Sequence, residues 1–577
     1  MKSLIPVCLS GILALTCLRA GAAESLLNPK QVWADYDPNK GEFKEEIVKQ
    51  ETKDGLYYRE SYISAYVVGE EVRVYTLYQV KAGAHKAPGL LNVHGWMGAA
   101  SINKDYVADG WAVMSYDYCG KNGNRVHYTK YPEKLSHGEM CGGKVTNCSL
   151  PDKTSITDPK QTSDYLWYAI ESRVLSYLEQ QKEVDKSRIG AVGYSYGGTI
   201  MWFLGMDPRI KAVVAYFGIG YTEYYRNRGV MMYNVPYVEP EKSPGEKIYL
   251  AGIAPEAHVP YITAPTLFLN GSNDHHGVCE RGLETFKVFP KNVPWAFAVQ
   301  VRGHHNTEKI GQDTKMWLEK YVLKKEVFWP DHPQSVITLD AGGVPQLMVK
   351  PSNPQRVKSV EIYYALKNPS WISRAWRDAT VVRQGDHWLA KLPVINVDDY
   401  VFAYANVIYD TTAVVSTAFN AVIPSKLGNA KATDTVSEVL YSGDGGLGAW
   451  SNVAEVEGAG GIKGFRCIDN KAGFGNEQMS DPKWQAPANA ALGFKFYCTE
   501  PQTLVFTAGD YSGEIEITAS DAWQEMVIPK EKLFNLHNPK VSMANWNNVP
   551  NIQFKPKSGA DITKILFANF KWTVQKP

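Results

Sequence analysis

The sequence predicts an α/β protein in which a mostly parallel, doubly wound sheet is followed by two β-rich domains. Short apolar segments alternate with helical ones as far as about residue 325, which is typical of parallel strands covered by helices on both faces. Beyond that point the pattern changes to short strands separated by turn residues. With 577 residues, the chain is too long for one typical core, so several domains are expected.

The apolar segments of the first part are short, and glycine, proline or polar residues bound each of them. The segments that predict strands are 71–78, 89–95, 110–117, 188–193, 211–217, 265–270 and 294–300. In residues 162–181 apolar side chains recur every fourth position, which predicts a helix. A second helix is expected directly after Gly197, and a closing helix is expected over residues 307–323.

These changes in pattern divide the chain into four parts. Residues 1–22 are a predicted signal peptide, and residues 23–325 form the α/β unit with a β segment at its start. Residues 326–430 are expected to form an immunoglobulin-like β-sandwich. Residues 431–577 form a further β-rich domain that begins near a glycine-rich stretch.

The first residues indicate export. Lys2 precedes an apolar run over 4–18, and residues 20–22 read Ala-Gly-Ala, which fits a signal-peptidase site. The run is short for a membrane-spanning helix, so we expect cleavage and a secreted or periplasmic protein without a membrane span. A lipoprotein anchored through Cys17 is the weaker alternative, because the residues before it fit a lipobox poorly.

Charge balance argues against some classes of partner. Lys plus Arg number 61 against 60 for Asp plus Glu, giving a net charge of +1. Such a balance gives no reason to expect a nucleic acid or an anionic membrane as partner. The sequence leaves the oligomeric state open.

The cysteines agree with export. Two of the eight lie in the predicted signal peptide, and the other six are Cys119, Cys141, Cys148, Cys279, Cys467 and Cys498. An even number in an oxidising compartment predicts disulfides. Cys467 with Cys498 is a natural pair, whereas Cys141 could bond to Cys148 or either could bond to Cys119.

A candidate nucleophile lies between a predicted strand and a predicted helix. Residues 193–197 read Gly-Tyr-Ser-Tyr-Gly and match the pattern G-x-S-x-G, and Gly198 follows. A serine on such a sharp turn is exposed above the sheet, and its small neighbours avoid collisions with the adjoining helix and strand. We therefore predict that Ser195 is the nucleophile.

A serine nucleophile needs a base, and the base needs an acid that orients it. On this type of sheet the chain order is serine, acid, histidine. Asp274 follows the predicted strand 265–270 and is the candidate acid. His304 and His305 follow the last predicted strand. We favour His304 because it comes directly after Gly303, and we keep His305 as the alternative.

Two backbone N–H groups should bind the oxygen that becomes negatively charged during acyl transfer. One is predicted to belong to Tyr196, directly after the nucleophile. The second is expected from the loop at 92–98, where Trp96 is the best candidate. His94 lies in the same loop but precedes the nucleophile in the chain, so we assign it a structural role.

Histidines are frequent around the predicted acid. Those nearby are His275, His276, His304 and His305. Such spacing is weak support for a metal site, and a serine–histidine–aspartate arrangement explains the acid and one histidine better. We expect neither a metal nor another cofactor.

Together these motifs resemble the α/β-hydrolase superfamily, and within it the branch of dienelactone hydrolases, acetyl xylan esterases and prolyl oligopeptidases. The segments that carry the resemblance are 92–95, 105–117, 183–198, 271–274 and 303–304. The resemblance extends over about residues 88–323. It implies a serine hydrolase that cleaves carboxylic esters or, as in some members, peptides.

The order of the domains bears on the substrate. Proteins similar to prolyl oligopeptidase place a propeller or sandwich domain before the catalytic unit, whereas here the additional domains follow it. This order resembles secreted bacterial carbohydrate esterases, which implies hydrolysis of acetyl or methyl esters on a carbohydrate and a last domain that is a candidate for carbohydrate binding. A secreted peptidase and a non-catalytic carbohydrate-binding protein on a hydrolase scaffold are the alternatives.

Two insertions are expected to form the walls of the pocket. One covers residues 119–158, and the other follows Phe217. The second contains the candidate substrate-binding residues Tyr221, Tyr224, Tyr225 and Arg226. Loops above the strand ends commonly carry specificity, although a cap that buries its own tyrosines fits these residues equally well.

Overall fold

The computed structural model describes most of the chain. The described residues are 26–135, 139–140, 143–144, 156–218, 241–277, 279–307, 310–367, 371–444, 447–547 and 549–574. The predicted signal peptide lies outside them. So do Cys141, Cys148 and the predicted substrate-binding residues Tyr221, Tyr224, Tyr225 and Arg226.

A nine-stranded sheet builds the first domain. Its strands are β1 (Glu46–Lys53), β2 (Leu56–Val67), β3 (Glu70–Lys81), β4 (Ala87–Val93), β5 (Ala112–Tyr116), β6 (Val184–Tyr194), β7 (Ile210–Tyr216), β8 (Thr266–Gly271) and β9 (Trp295–Gln300). They lie in the order β1-β2-β3-β5-β4-β6-β7-β8-β9. The first three strands pair antiparallel, and β3 pairs antiparallel with β5. From β5 to β9 every neighbouring pair is parallel, as the alternation in sequence predicts.

Helices cover both faces of this sheet. They are α1 (Pro29–Val32), α2 (Lys104–Ala108), α3 (Ser163–Glu179), α4 (Tyr196–Leu204), α5 (Pro244–Gly252), α6 (Pro255–His258), α7 (Cys279–Lys287) and α8 (Asp313–Tyr321). One buried cluster joins the sheet to α3 and α4, and another joins its opposite face to α2 and α8. No helix among the described residues is long and apolar enough to cross a membrane.

The closing helix starts later than the sequence predicts. It begins at Asp313 rather than at Thr307. The preceding residues form a turn in which the N–H groups of Ile310 and Gly311 both donate to the carbonyl oxygen of Thr307, at 3.0 and 2.8 Å. The apolar periodicity therefore includes a turn that leads into the helix.

The second domain is a sandwich of two antiparallel sheets. Its strands are β10 (Gln334–Leu339), β11 (Pro345–Lys350), β12 (Val357–Leu366), β13 (Arg377–Ala379), β14 (Val381–Gln384), β15 (His387–Lys391), β16 (Val401–Tyr409), β17 (Val414–Ser416) and β18 (Asn420–Val422). One sheet has the order β10-β11-β15-β14, and the other has the order β13-β12-β16-β17, with β18 also paired to β16. The inward-facing side chains of both sheets form one core.

The third domain also consists of two packed sheets. Its strands are β19 (Val439–Tyr441), β20 (Trp450–Ser451), β21 (Val453–Glu457), β22 (Lys463–Cys467), β23 (Phe474–Asn476), β24 (Ala490–Tyr497), β25 (Gln502–Ala508), β26 (Tyr511–Ile517), β27 (Gln524–Pro529), β28 (Phe534–Asn535), β29 (Ile552–Pro556) and β30 (Leu566–Val574). The orders are β21-β22-β30-β24-β27, with β19 paired to β30, and β20-β23-β29-β25-β26-β28. Stacked phenylalanines fill the space between the sheets.

The predicted disulfide between Cys467 and Cys498 is wrong. Cys467 ends β22 and Cys498 follows β24, and β30 lies between these strands. Two strand spacings are about 10 Å, which exceeds the separation of about 7 Å that a disulfide can bridge. Each buried thiol is free and donates to a carbonyl oxygen two residues further on, that of Asp469 at 3.1 Å and that of Glu500 at 3.0 Å.

Cys119 is a free thiol as well. Cys119 and Cys279 are both buried, so the alternative in which Cys119 bonds to Cys141 or Cys148 is not realised. Burial raises the pKa of the Cys119 thiol, which keeps it protonated and unreactive.

Candidate active site

Ser195 occupies a strained turn between β6 and α4. Its φ of 57° and ψ of −120° are rare for a residue with a side chain. The N–H of Ser195 donates to the carbonyl oxygen of Tyr216 at 2.8 Å, and its own carbonyl accepts from Thr199 at 3.1 Å. The strand before it and the helix after it thus hold the serine above the carboxyl ends of the parallel strands.

The glycines around Ser195 permit this turn. A Cβ on Gly193 would lie 2.1 Å from the carbonyl oxygen of Gly197, and a Cβ on Gly198 would lie 2.3 Å from that of Tyr216. A Cβ on Gly197 itself would lie 2.5 Å from two carbonyl oxygens in the β4 loop. The G-x-S-x-G-G pattern is therefore required by backbone contacts on three sides.

The loop after β4 lies directly against the serine. A Cβ on Gly95 would come within 2.9 Å of the Ser195 Cβ and 3.5 Å of its Oγ. Trp96 and Met97 are both 42% exposed, and Met97 has a left-handed φ of 62°. The loop that carries the predicted oxyanion donor Trp96 therefore borders the serine, and Tyr196 is the first residue of α4, where N–H groups have no partner within the helix.

His94 supports this loop through contacts of its buried ring. It is buried, its ring stacks on Tyr118 with 4.5 Å between centroids, and its Nδ1 lies 2.6 Å from the carbonyl oxygen of Gly95. Its Nε2 lies 3.6 Å from the buried carboxylate of Asp117. These contacts give His94 a structural place in the loop.

Asp274 is fully buried at the end of β8. One carboxylate oxygen, Oδ1, accepts hydrogen bonds from the backbone N–H groups of His276 at 2.6 Å and Gly277 at 2.9 Å. The other, Oδ2, lies 2.7 Å from Nδ1 of His305. Both oxygens of the buried carboxylate are therefore partnered, as a buried charge requires.

The structure pairs the acid with His305 and not with His304, which the sequence favoured. His305 lies after β9, and its ring packs against that of Phe217 with 4.3 Å between centroids. His304 is exposed and has no hydrogen-bond partner among the described residues. The turn after Gly303 brings the second histidine, and not the first, against the carboxylate of Asp274, which spacing alone did not reveal.

The pairing determines what His305 can do. Because Nδ1 faces a carboxylate, it is the nitrogen that carries the proton in the neutral ring. Nε2 is then free to accept a proton. Phe217, on which the ring packs, directly follows Tyr216, the hydrogen-bond partner of Ser195. The histidine therefore lies at the strand end that also holds the serine.

The same corner could hold a metal ion. Asp274, His275 and His305 offer ligand atoms within 4.8 Å of one another. A metal bound to the acid and the histidine would replace the direct hydrogen bond between them. That bond, at 2.7 Å, already satisfies both groups, so the prediction that the reaction needs no metal is kept.

Part of the chain matches a known protein family. Residues 172–322 match the model of the prolyl oligopeptidase family. The matched range contains β6 to β9 and the loops with Ser195, Asp274 and His305. The first domain has the α/β-hydrolase fold. Its antiparallel β1 to β3 extend the parallel part of the sheet on one side.

Several solved structures are similar to part of the chain. Acetyl xylan esterase from Paenibacillus sp. R4 is 18% identical, with 49% of this chain and 90% of that chain covered and a TM-score of 0.39. Acetyl xylan esterase 1 from Thermoanaerobacterium sp. JW/SL YS485 is 16% identical, with 51% and 94% covered and a TM-score of 0.39. Acylaminoacyl peptidase from Pyrococcus horikoshii is 16% identical, with 50% and 52% covered and a TM-score of 0.33.

No curated protein sequence resembles the chain closely enough to count as a relative.

Some residues of the site could not be identified from any sequence motif. Phe217 takes a left-handed φ of 56° and packs on His305, although its sequence reads as the end of an ordinary strand. Across a domain boundary, Asn273 of the acid loop donates to the carbonyl oxygen of Trp371, and Trp371 donates to that of Asp274. The two residues are 98 positions apart in the chain, so no local sequence pattern predicts this contact.

Proposed function

We propose that the protein is a secreted serine esterase that uses Ser195, His305 and Asp274. The observation that carries this proposal is the pairing of a buried, fully partnered Asp274 with His305 at 2.7 Å, at the strand end where Ser195 occupies its strained turn. Acyl transfer by a serine needs a nucleophile, a base and an acid that orients the base, and these three residues can fill those roles. His305 takes the place of His304 as the base.

The proposed reaction has two steps. Ser195 Oγ attacks the ester carbonyl while His305 Nε2 takes its proton, and the N–H groups of Tyr196 and Trp96 bind the oxyanion. The protonated histidine gives that proton to the departing alcohol, which leaves an acyl-enzyme. A water molecule, deprotonated by the same histidine, then releases the acid and restores the serine. Asp274 holds the tautomer and stabilises the imidazolium.

We propose a carbohydrate that carries acetyl or methyl esters as the substrate. The predicted export signal and the two β-rich domains after the hydrolase unit support this choice. A secreted peptidase with the same three residues is the main alternative. Tyr221, Tyr224, Tyr225 and Arg226 remain candidates for substrate contact.

A cleft on the third domain supports a further role for carbohydrate. About 120 Å³ in volume, it is lined by Trp484, Trp546, Trp572 and Asp481, among others. The carboxylate of Asp481 is buried and bonds to Arg377. Trp546 and Trp572 are buried in the core of the domain, so the half-buried Trp484 provides the indole face that a sugar ring can meet in this cleft. We propose this cleft as a secondary carbohydrate-binding site.

The cleft is testable without turnover. The inactive variant Ser195→Ala should be retarded in gels that contain xylan or pectin, and a second change, Trp484→Ala, should abolish the retardation. Trp523→Ala, on the same domain outside this cleft, is the matched control. Equal retardation of all three proteins, or none for Ser195→Ala, would exclude the site.

A substrate panel tests the proposed activity. Acetylated xylan, methyl-esterified pectin, feruloyl sugars and p-nitrophenyl acetate are compared with aminoacyl p-nitroanilides. Ester hydrolysis with negligible anilide cleavage is expected. Preference for the anilides would make the protein a peptidase, and inactivity on every compound would favour the binding-protein alternative.

A further inference from the structure

One segment of the sandwich domain contacts both loops that carry the proposed acid and base. This anchor segment, residues 371–378, follows β12 and includes the first two residues of β13. Asp274 lies in the loop after β8, and His305 lies in the loop after β9. The two loops therefore meet the same piece of a neighbouring domain.

The acid loop is attached through Asn273 and Trp371. Asn273 is buried, and its Nδ2 donates to the carbonyl oxygens of Trp371, Ile372 and Arg374 at 3.0, 3.1 and 2.8 Å. Trp371 returns a bond, since its Nε1 donates to the carbonyl oxygen of Asp274 at 2.8 Å. The residue before the acid and the backbone of the acid itself are thus both fixed by the anchor segment.

The histidine loop is attached through Arg302. Its guanidinium donates to the carbonyl oxygen of Trp376 at 3.0 Å and pairs with Asp378 at 3.0 Å. The two loops are also joined to each other, because the Asn273 N–H donates to the carbonyl oxygen of Gly303 at 2.9 Å. Movement of the anchor segment would therefore be passed to both partners of the Asp274–His305 pair.

The anchor segment is itself tightly held in the sandwich domain. Arg374 is 1% exposed, and its guanidinium lies 3.9 Å from the centroid of the Phe402 ring. Trp376 is buried and meets the ring of Tyr404 edge-on, with 4.9 Å between centroids. The acid loop is thus held by a segment that is itself packed into the core of the sandwich domain.

We propose that the sandwich domain positions the catalytic pair, with Asn273 and Trp371 as the positioning residues. The inference rests on the proposed function of Ser195, His305 and Asp274. Neither residue touches the substrate in this account. They fix the direction of the Asp274 carboxylate, and a misplacement of about 1 Å in such a constellation can cost roughly 100-fold in rate.

The test compares Asn273→Ala and the milder Trp371→Phe, which removes only the indole donor, with Asn406→Ala. Asn406 is an apt control because it is buried at the same domain boundary. Its Nδ2 donates to the carbonyl oxygen of Val299 at 2.9 Å, inside β9 and away from the acid loop. Trp371→Phe and Asn406→Ala each remove one hydrogen bond between the domains, and Asn273→Ala removes three.

Asn273→Ala should lower kcat on p-nitrophenyl acetate by about 10- to 100-fold, with KM within about twofold of wild type. Trp371→Phe should act in the same direction but more weakly. Asn406→Ala should leave both kcat and KM unchanged.

The low-field NMR signal of the His305 Nδ1 proton reports the pairing without turnover. It should weaken or shift in Asn273→Ala and persist in Asn406→Ala. An active wild type with equal effects of Asn273→Ala and Asn406→Ala on both kcat and this signal would overturn the positioning role and leave the proposed function intact. An inactive wild type would overturn the proposed function, and the NMR signal would then decide the positioning role alone.

Discussion

At the scale of single residues, two adjacent histidines have different surroundings. His305 has a carboxylate at 2.7 Å on one side and the Phe217 ring on the other, whereas His304 has neither of these contacts. A general base must be held in one tautomer and one direction. Only His305 meets that requirement in this structure.

Alanine substitutions separate the two histidines. His305→Ala should lower kcat/KM on p-nitrophenyl acetate by at least about 1,000-fold, because the serine loses its base. His304→Ala should stay within about threefold of wild type. Initial rates at saturating and limiting ester measure both effects. Loss of activity in His304→Ala alone would return the role to the residue that the sequence favoured.

The sequence was sufficient to locate Ser195 and Asp274, because each follows an apolar strand in a motif with its own backbone requirement. It was not sufficient to choose between His304 and His305. That choice depends on how the turn after Gly303 is bonded to the acid loop, which is a contact between segments about 30 residues apart. Local patterns contain no information about such a contact.

At the scale of elements, the β6–α4 turn depends on close backbone approach. Gly193→Ala would bring a Cβ within 2.1 Å of the Gly197 carbonyl oxygen. We expect a loss of about 3 kcal/mol or more in the free energy of unfolding, together with loss of ester hydrolysis. Gly342→Ala is the control, because its nearest atom is the movable carboxylate of Asp340 at 3.2 Å. Urea denaturation of both variants measures the difference, and a stable, active Gly193→Ala protein would contradict the described turn.

The end of α6 provides a pH-dependent contribution to stability. His258 is fully buried, with Nδ1 at 3.0 Å from the Ala254 carbonyl oxygen and Nε2 accepting from the Trp33 indole N–H at 3.2 Å. Burial lowers its pKa to about 4. An unfolded histidine titrates near 6.5, so the unfolded state binds more protons between these values.

Stability should therefore fall as the pH is lowered from about 6.5 to 4, by about 3 kcal/mol from this residue. In His258→Phe this contribution should vanish, so the free energy of unfolding should depend less on pH in that window. The exposed His537 gives the matched control, His537→Phe, which should keep the wild-type slope. Urea denaturation at pH 7, 5.5 and 4.5 measures these slopes. Identical slopes for His258→Phe and wild type would contradict the assignment.

The elements themselves were largely predictable. The parallel strands and α3 follow directly from apolar runs and a four-residue repeat, and they are confirmed. The start of α8 was not, because Ile310 continues the apolar pattern although its N–H donates to the carbonyl oxygen of Thr307 before the helix begins. The pairing of strands in the β-rich domains could not be predicted from the sequence either, because it depends on contacts between distant segments.

At the scale of the whole molecule, tertiary packing holds the third domain together without a cross-link. Cys467 and Cys498 lie on either side of β30 and are free thiols. The sequence suggested a bond because both lie in one domain, but the intervening strand keeps them apart. Sequence proximity within a domain therefore did not predict proximity in space.

The thiols can be counted directly. After denaturation without a reductant, iodoacetamide should alkylate both Cys467 and Cys498, as peptide mass spectrometry would report. Prior reduction should change neither the extent of alkylation nor the thermal midpoint of the protein. Alkylation of these two cysteines only after reduction would contradict the described arrangement of β22, β30 and β24.

The whole molecule also places a second domain against the proposed catalytic pair. The loops at the strand ends of the first sheet carry Ser195, Asp274 and His305, and the anchor segment of the sandwich contacts the loops of the last two. Together, these arrangements support the central proposal that Ser195 is an activated nucleophile.

Labelling with a fluorophosphonate tests that claim most directly, because the probe reacts only with a serine that a nearby base has activated. Intact-mass and peptide analysis of the folded wild-type protein should show one adduct, located on Ser195. Ser195→Ala should not react, and His305→Ala should react far more slowly than His304→Ala. An unlabelled wild type, or equal labelling after Ser195→Ala, would contradict the account.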